Sequence, residues 1–138
     1  MAKKIRFDRI FSNLRQFKST IPIRIGGMYL RHFKSAFDDE GFTDRRYERW
    51  TPRKKRDRNE RVFGRRKILQ KTARLKRSLR VREANFSRIR VGSYGVEYAT
   101  AHNRGEDPQP QRQFVGDSEK VRREIRNLVR QEMKKIFR

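Results

Sequence analysis

Apolar side chains along the chain keep two periods, and each predicts a kind of element. Phe7, Ile10, Phe11, Leu14 and Phe17 recur at three- and four-residue steps, the spacing of one helix face. Ser19 and Thr20 interrupt that stripe. Thr20 has the hydroxyl of a helix cap, and Pro22 suits the first turn that follows a cap. Ile21, Ile25, Met28, Tyr29, His32, Phe33, Ala36 and Phe37 then trace the apolar face of a second helix, which Gly41 ends after Asp38-Asp39-Glu40. Gly26 and Gly27 lie inside it at a cost of about 1 kcal/mol each relative to Ala, so close packing against another backbone is expected there.

The stripe is lost from residue 42 to residue 67, where charges crowd out apolar positions. That stretch reads as a long basic arm or loop. A period of two follows. Leu79, Val81 and Glu83 alternate with Arg80 and Arg82, and after a turn at Ala84-Asn85 a second strand carries Phe86, Ile89 and Val91, with Arg88 and Arg90 facing outward. The register slips between Phe86 and Ile89, the expected place for a bulge. Gly92-Ser93-Tyr94-Gly95 is a turn, and Val96, Tyr98 and Thr100 predict a third strand ending near His102-Asn103-Arg104-Gly105. Pro108 and Pro110 mark a loop. The helical period returns at Val121, Ile125, Leu128, Val129 or Glu132, Met133 and Ile136, with Asp117 or Ser118 as cap, Glu119 in the first turn, and Lys134, Lys135 and Arg138 at the negative end. The pattern predicts an α+β domain over residues 1–138. N-terminal helices occupy 1–41, a basic extended arm 42–67, and a small antiparallel sheet with a long C-terminal helix packed on it 68–138.

Composition makes that core thin. Leu, Ile, Val and Phe together are 32 of 138 residues against 40% charged residues and a mean hydropathy of −1.14. This sits just above the level, roughly one fifth, below which a charged chain stays disordered. The ten Phe matter because each buries a large area. Partner chains are expected to complete the core.

The 39 basic and 16 acidic residues leave +23. Residues 41–82 hold 18 basic and 4 acidic groups, an excess of 14, so electrostatic function is sought there. The arm's candidate contact residues are Arg45, Arg46, Arg49, Arg53, Lys54, Lys55, Arg56, Arg58, Arg61, Arg65, Arg66 and Lys67. Tyr47, Trp50 and Phe63 among them allow stacking on a nucleic acid, but no base-reading motif is present, so only a sequence-unspecific contact is supported.

Catalysis finds little to work with. The chain has no cysteine and two histidines; His32 lies on an apolar helix face and His102 at a strand end. No HExxH, Walker loop or GxGxxG pattern occurs, and Ser78 has no base beside it. Asp38-Asp39-Glu40 reads as a helix terminus. No catalytic, cofactor or metal residue is expected. There is neither a membrane-length apolar run nor a signal-peptide core, so a cytoplasmic product is expected.

Four segments in order resemble the phage virion morphogenesis and tail completion proteins. Glu40-Gly41 followed by Trp50-Thr51-Pro52 resembles that family's acidic-glycine and Trp-x-Pro entry. Ile68-Leu69-Gln70-Lys71-Thr72-Ala73-Arg74-Leu75-Lys76-Arg77-Ser78-Leu79 is similar to its ILxxTGxLxxSL segment. Val91-Gly92-Ser93 with Tyr98-Ala99-Thr100-Ala101-His102-Asn103-Arg104-Gly105 resembles VGS…YAxxHxxG. Pro110 to Gly116, with Arg112 and Phe114, resembles PxRxFxG before a final helix. Ala73 stands where the family usually has Gly, Asn103 where it often has Gln, and Gln113 where it usually has Pro. The residues carrying the match are Trp50, Pro52, Ile68, Leu69, Leu75, Ser78, Leu79, Tyr98, His102, Phe114 and Gly116, with ordinary packing the first explanation for each.

The resemblance implies a structural protein of a tailed bacteriophage: a tail completion, terminator or neck component at the head–tail junction. It implies a homo-oligomeric ring, taken as a hexamer, touching neighbouring neck, connector and tail-tube or sheath proteins. The arm then has two open jobs, lying against packaged DNA or gripping acidic surfaces of adjoining proteins. The second is favoured because it needs neither an aromatic platform nor a base code. The alternative is a sequence-unspecific nucleic-acid-binding protein of ribosomal-protein type.

Overall fold

A computed structural model describes residues 6–54, 66–70 and 72–138. The chain runs α1 (Phe7–Asp39), β1 (Gly41–Thr43), β2 (Tyr47–Arg49), α2 (Arg74–Ser78), β3 (Leu79–Ala84), β4 (Ile89–Ser93), α3 (Ala99–Arg104) and α4 (Glu119–Ile136). The α+β class and the order of helices, strands and final helix are as the patterning predicts. The strands form two separate antiparallel pairs, β1–β2 and β3–β4.

One helix replaces the two expected at the N-terminus. α1 runs unbroken for 33 residues with Pro22 inside it. Ser19 and Thr20 do not cap; their hydroxyls donate to the Gln16 carbonyl at 2.9 and 2.8 Å, as mid-helix hydroxyls do. The break signals were local costs, about 3 kcal/mol for an interior proline. Burial outweighs them, because Ile21, Pro22 and Gly26 are all covered by neighbouring elements. Of the two glycines, Gly26 is the packed one: a Cβ there would meet Val81 Cγ1 at 3.1 Å and Ile89 Cγ2 at 3.6 Å. Gly27 has room, with only the Arg31 guanidinium at 3.9 Å.

α1 is the spine. The β3–β4 hairpin crosses it at Gly26. α4 lies along it, tied by Arg24 to Glu132 at 3.1 Å. The final helix therefore packs chiefly on α1, where the sequence reading had it on the sheet. Ser118 is its cap, accepting from Val121 N and donating to Thr43 O at 2.8 Å. The buried core gathers around the last third of α1: Phe33, Ala36 and Phe37 with Phe42, Trp50, Ile68, Leu75, Leu79, Ala99 and Phe114.

Three further expectations need correction. Residues 42–49, read as the start of the arm, fold with Gly41 as the β1–β2 hairpin with Phe42 buried; Gly41 has no room for a side chain, since a Cβ would lie 2.6 Å from the Glu48 carbonyl. The predicted third strand is α3. The window Val96–Thr100 fits both periods, and the helix wins by burying Ala99 and placing Asn103 one turn further on, facing residues 114 and 115. The bulge lies between Val81 and Glu83, not between Phe86 and Ile89. Phe86 is in the exposed turn, where Asn85 Oδ1 accepts the Ser87 and Arg88 amides.

Candidate functional site

The four segments that carry the family resemblance meet in space. Trp50, Ile68, Leu75, Leu79 and Phe114, each at most 5% exposed, share one apolar cluster. Phe37 lies at its centre, with the Trp50 ring 5.4 Å away edge-on and the Phe114 ring at 5.2 Å. Buried polar groups tie the segments together. Trp50 Nε1 donates to the Gln113 carbonyl at 2.7 Å. Asn103 Oδ1 accepts the amides of Phe114 and Val115 at 2.9 Å each, and its Nδ2 donates to Val115 O. Ser78 Oγ shares a hydrogen bond with Ser93 Oγ at 2.6 Å. Such groups are costly to bury unpaired, by about 1–3 kcal/mol each, so they fix the register of the loops. Most of these motif residues are packing residues. Pro52 and Tyr98 are exposed, and Tyr98 stacks edge-on against His102 at 5.8 Å.

Arg112 is the residue the sequence reading passed over. It is 8% exposed, and no carboxylate pairs with it among the described residues. Its Nε donates to Thr51 O at 3.0 Å and an Nη reaches Pro52 O at 3.4 Å. Burial, and then the Arg53 charge, lower its pKa. Arg53 in turn donates to the carbonyls of Arg66 and Lys67, at 2.9 and 2.6 Å. Residues 53 and 66–67 are therefore side by side. The described ends of the basic segment, expected as an arm or loop, thus meet at one place. The signal was present in the PxRxFxG segment, in which an arginine stands between apolar anchors.

The candidate contact residues divide accordingly. Arg45, Arg46 and Arg49 stand exposed on the β1–β2 hairpin, while Arg53, Lys54, Arg66 and Lys67 form the loop base. Lys55, Arg56, Arg58, Arg61 and Arg65 lie outside the described residues. Two of the acidic trio are spent on structure: Asp38 pairs with Lys76 at 2.6 Å, its carbonyl accepts from Lys67, and Glu40 Oε1 accepts the Ile68 amide at 2.7 Å. Among the described residues no group of three His, Asp or Glu could hold a metal ion. His32 packs edge-on against Phe42 at 5.1 Å; burial lowers its pKa, as it lowers that of His102, where the Arg112 charge adds to the effect. No helix among the described residues is long and apolar enough to cross a membrane.

Fold and site together define a small α+β building-block protein, with its recurrent motif spent on packing and its charge held outside. The phage virion morphogenesis family model matches residues 4–134, and the chain belongs to that family. It is a structural family, so the protein has a structural or morphogenetic role in a phage virion. No curated protein and no solved structure matches the chain.

Proposed function

We propose that the protein completes the tail end of a tailed phage as a ring, taken as six-fold, at the head–tail junction. One observation supports self-association above others. The apolar stripe of α1 continues beyond the elements that cover it, leaving Phe7 and Phe11 61% and 59% exposed, with Ile10 and Leu14 between them half-buried. An apolar helix face of this kind serves as an interface.

The occupant we assign is the next copy, joined head to tail. Around the exposed stripe stand Arg6, Arg9, Arg15 and Lys18 against Asp8 alone. At the other end of the spine, about 50 Å away, Asp38, Asp39, Asp44 and Glu48 are interleaved with Arg45, Arg46, Arg49 and Lys67, and Asp38 is paired with Lys76. A head-to-tail contact of the exposed stripe with a different surface of the next copy is heterologous, the kind that closes into rings. The loop at 53–67 then grips acidic surfaces of adjoining neck, connector, tube or sheath proteins. The net charge of +23 opposes assembly at low salt, and screening beyond about 10 Å at 0.1 M relieves it.

Light scattering and negative-stain microscopy across a salt series test this. The wild type is expected to form rings. Phe7→Glu with Phe11→Glu should stay monomeric with unchanged helix content. A wild type that remains monomeric throughout, or a variant that still forms rings, overturns the proposal; a tight RNA-binding monomer would point to the ribosomal-type alternative.

A further inference from the structure

The outer face of the β3–β4 hairpin carries a constellation that the family motif does not use. Val81 and Ile89 turn inward onto Gly26 of α1, so the alternate residues turn out. Arg80 and Arg82 both place their guanidinium over the ring of Tyr94, at 5.3 and 5.1 Å from its centroid. The Val81–Glu83 irregularity sits at Arg82, and such bulges re-aim a side chain. Arg88 and Arg90 share the hairpin, 3.9 and 3.8 Å from the single carboxylate of Glu83. Arg80 and Arg82 have no carboxylate partner among the described residues.

Two like charges held on one ring repel each other, and at an exposed site the ring quadrupole offsets only part of that. An anion between or beside them removes the remainder. Their side chains are pre-positioned, so little rotamer entropy remains to be lost on binding.

We infer that this face binds the phosphodiester backbone of double-stranded DNA without reading sequence. Arg80 and Arg82 set two cations side by side on one ring, a pair that a repeating phosphate chain meets in any register. With two guanidiniums over it, Tyr94 is a platform for cations rather than for bases, so the contact is to phosphate. The opposite face lies on α1, which keeps the hairpin from entering a groove and leaves it to lie against the backbone. Phosphate contacts of this kind position a protein on DNA and carry no sequence information. The inference does not depend on the ring.

The test is fluorescence anisotropy of the full-length protein with a labelled duplex, over a salt series. Arg80→Gln with Arg82→Gln is compared with Arg123→Gln plus Arg130→Gln, which removes the same charge from exposed positions on α4. The first variant is expected to bind at least about tenfold more weakly and to lower the slope of log K against log salt by about 2, at roughly 0.9 per phosphate contact. The α4 variant should stay within about twofold of wild type, and circular dichroism should show all three folded alike. Equal weakening by the two variants would assign the affinity to diffuse net charge and overturn the inference, as would a wild type that does not bind the duplex at 0.1 M salt. Poly-L-glutamate is the second probe. If Arg80→Gln with Arg82→Gln loses polyglutamate while keeping DNA, the face belongs to an acidic protein and the inference fails.

Discussion

Ala73 occupies a backbone conformation that glycine adopts freely. Its φ is +53°, and Leu69 four residues earlier has φ +58°. An L side chain in this region costs roughly 1–2 kcal/mol. Both residues lie in the segment that leads into α2, between the loop base and the buried Leu75 and Leu79. The strain persists because those anchors over-determine the path. The resembled segment usually has Gly at position 73, and the φ supplies the physical reason. Ala73→Gly is expected to raise unfolding stability by about 0.5–1 kcal/mol, the backbone relief exceeding the added freedom of the unfolded chain. Urea denaturation measures it, and an unchanged or lowered midpoint would show that Ala73 is not strained.

Among the elements, α1 shows how packing overrules local preference. Its hydroxyl pair, proline and glycine pair all argue for a break, yet the helix is continuous because the β3–β4 hairpin, β1 and α4 all pack on it. The two glycines separate the causes. At Gly27 a methyl group has space, so Gly27→Ala should stabilise the protein by about 0.5–1 kcal/mol through helix propensity alone. At Gly26 the side chains of Val81 and Ile89 fill the space, so Gly26→Leu should destabilise by more than 2 kcal/mol through overpacking. Thermal denaturation of both variants checks the contrast; shifts of the same sign would remove the hairpin crossing as the role of Gly26. α4 shows the reverse case. Its cap and apolar stripe were legible in the sequence because both are local, whereas the surface it covers is not.

Across the whole molecule, charge and core occupy different territories. The apolar cluster sits where the C-terminal third of α1 meets the loops, and the described basic loop residues lie beside it, held by Arg53 and Arg112. A charge reversal meant to test the loop should therefore spare Arg53, whose guanidinium closes the base. Lys54→Glu, Lys55→Glu and Arg56→Glu together are expected to leave the melting temperature within about 2 °C, since few apolar residues lie in this stretch of the sequence, while blocking completion of infectious particles in a complementation assay. Normal particle yield would reduce the loop to solvated charge.

The sequence by itself determined what depends on neighbours along the chain: the amphipathic helices, the alternation of β3 and β4, the Ser118 cap, the concentration of charge before residue 83, and the ordered segments that resemble the family. It misled at two places, giving two helices across Ser19–Pro22 where one runs through and a strand over Val96–Thr100 where α3 begins at Ala99. Local terms there are close in energy, and distant partners choose. Only the tertiary structure decided that Arg112 pins the loop, that α4 rests on α1, and that Arg80 and Arg82 converge on Tyr94. Each of those contacts joins groups distant along the chain, and no local period encodes which groups folding brings within a few ångströms.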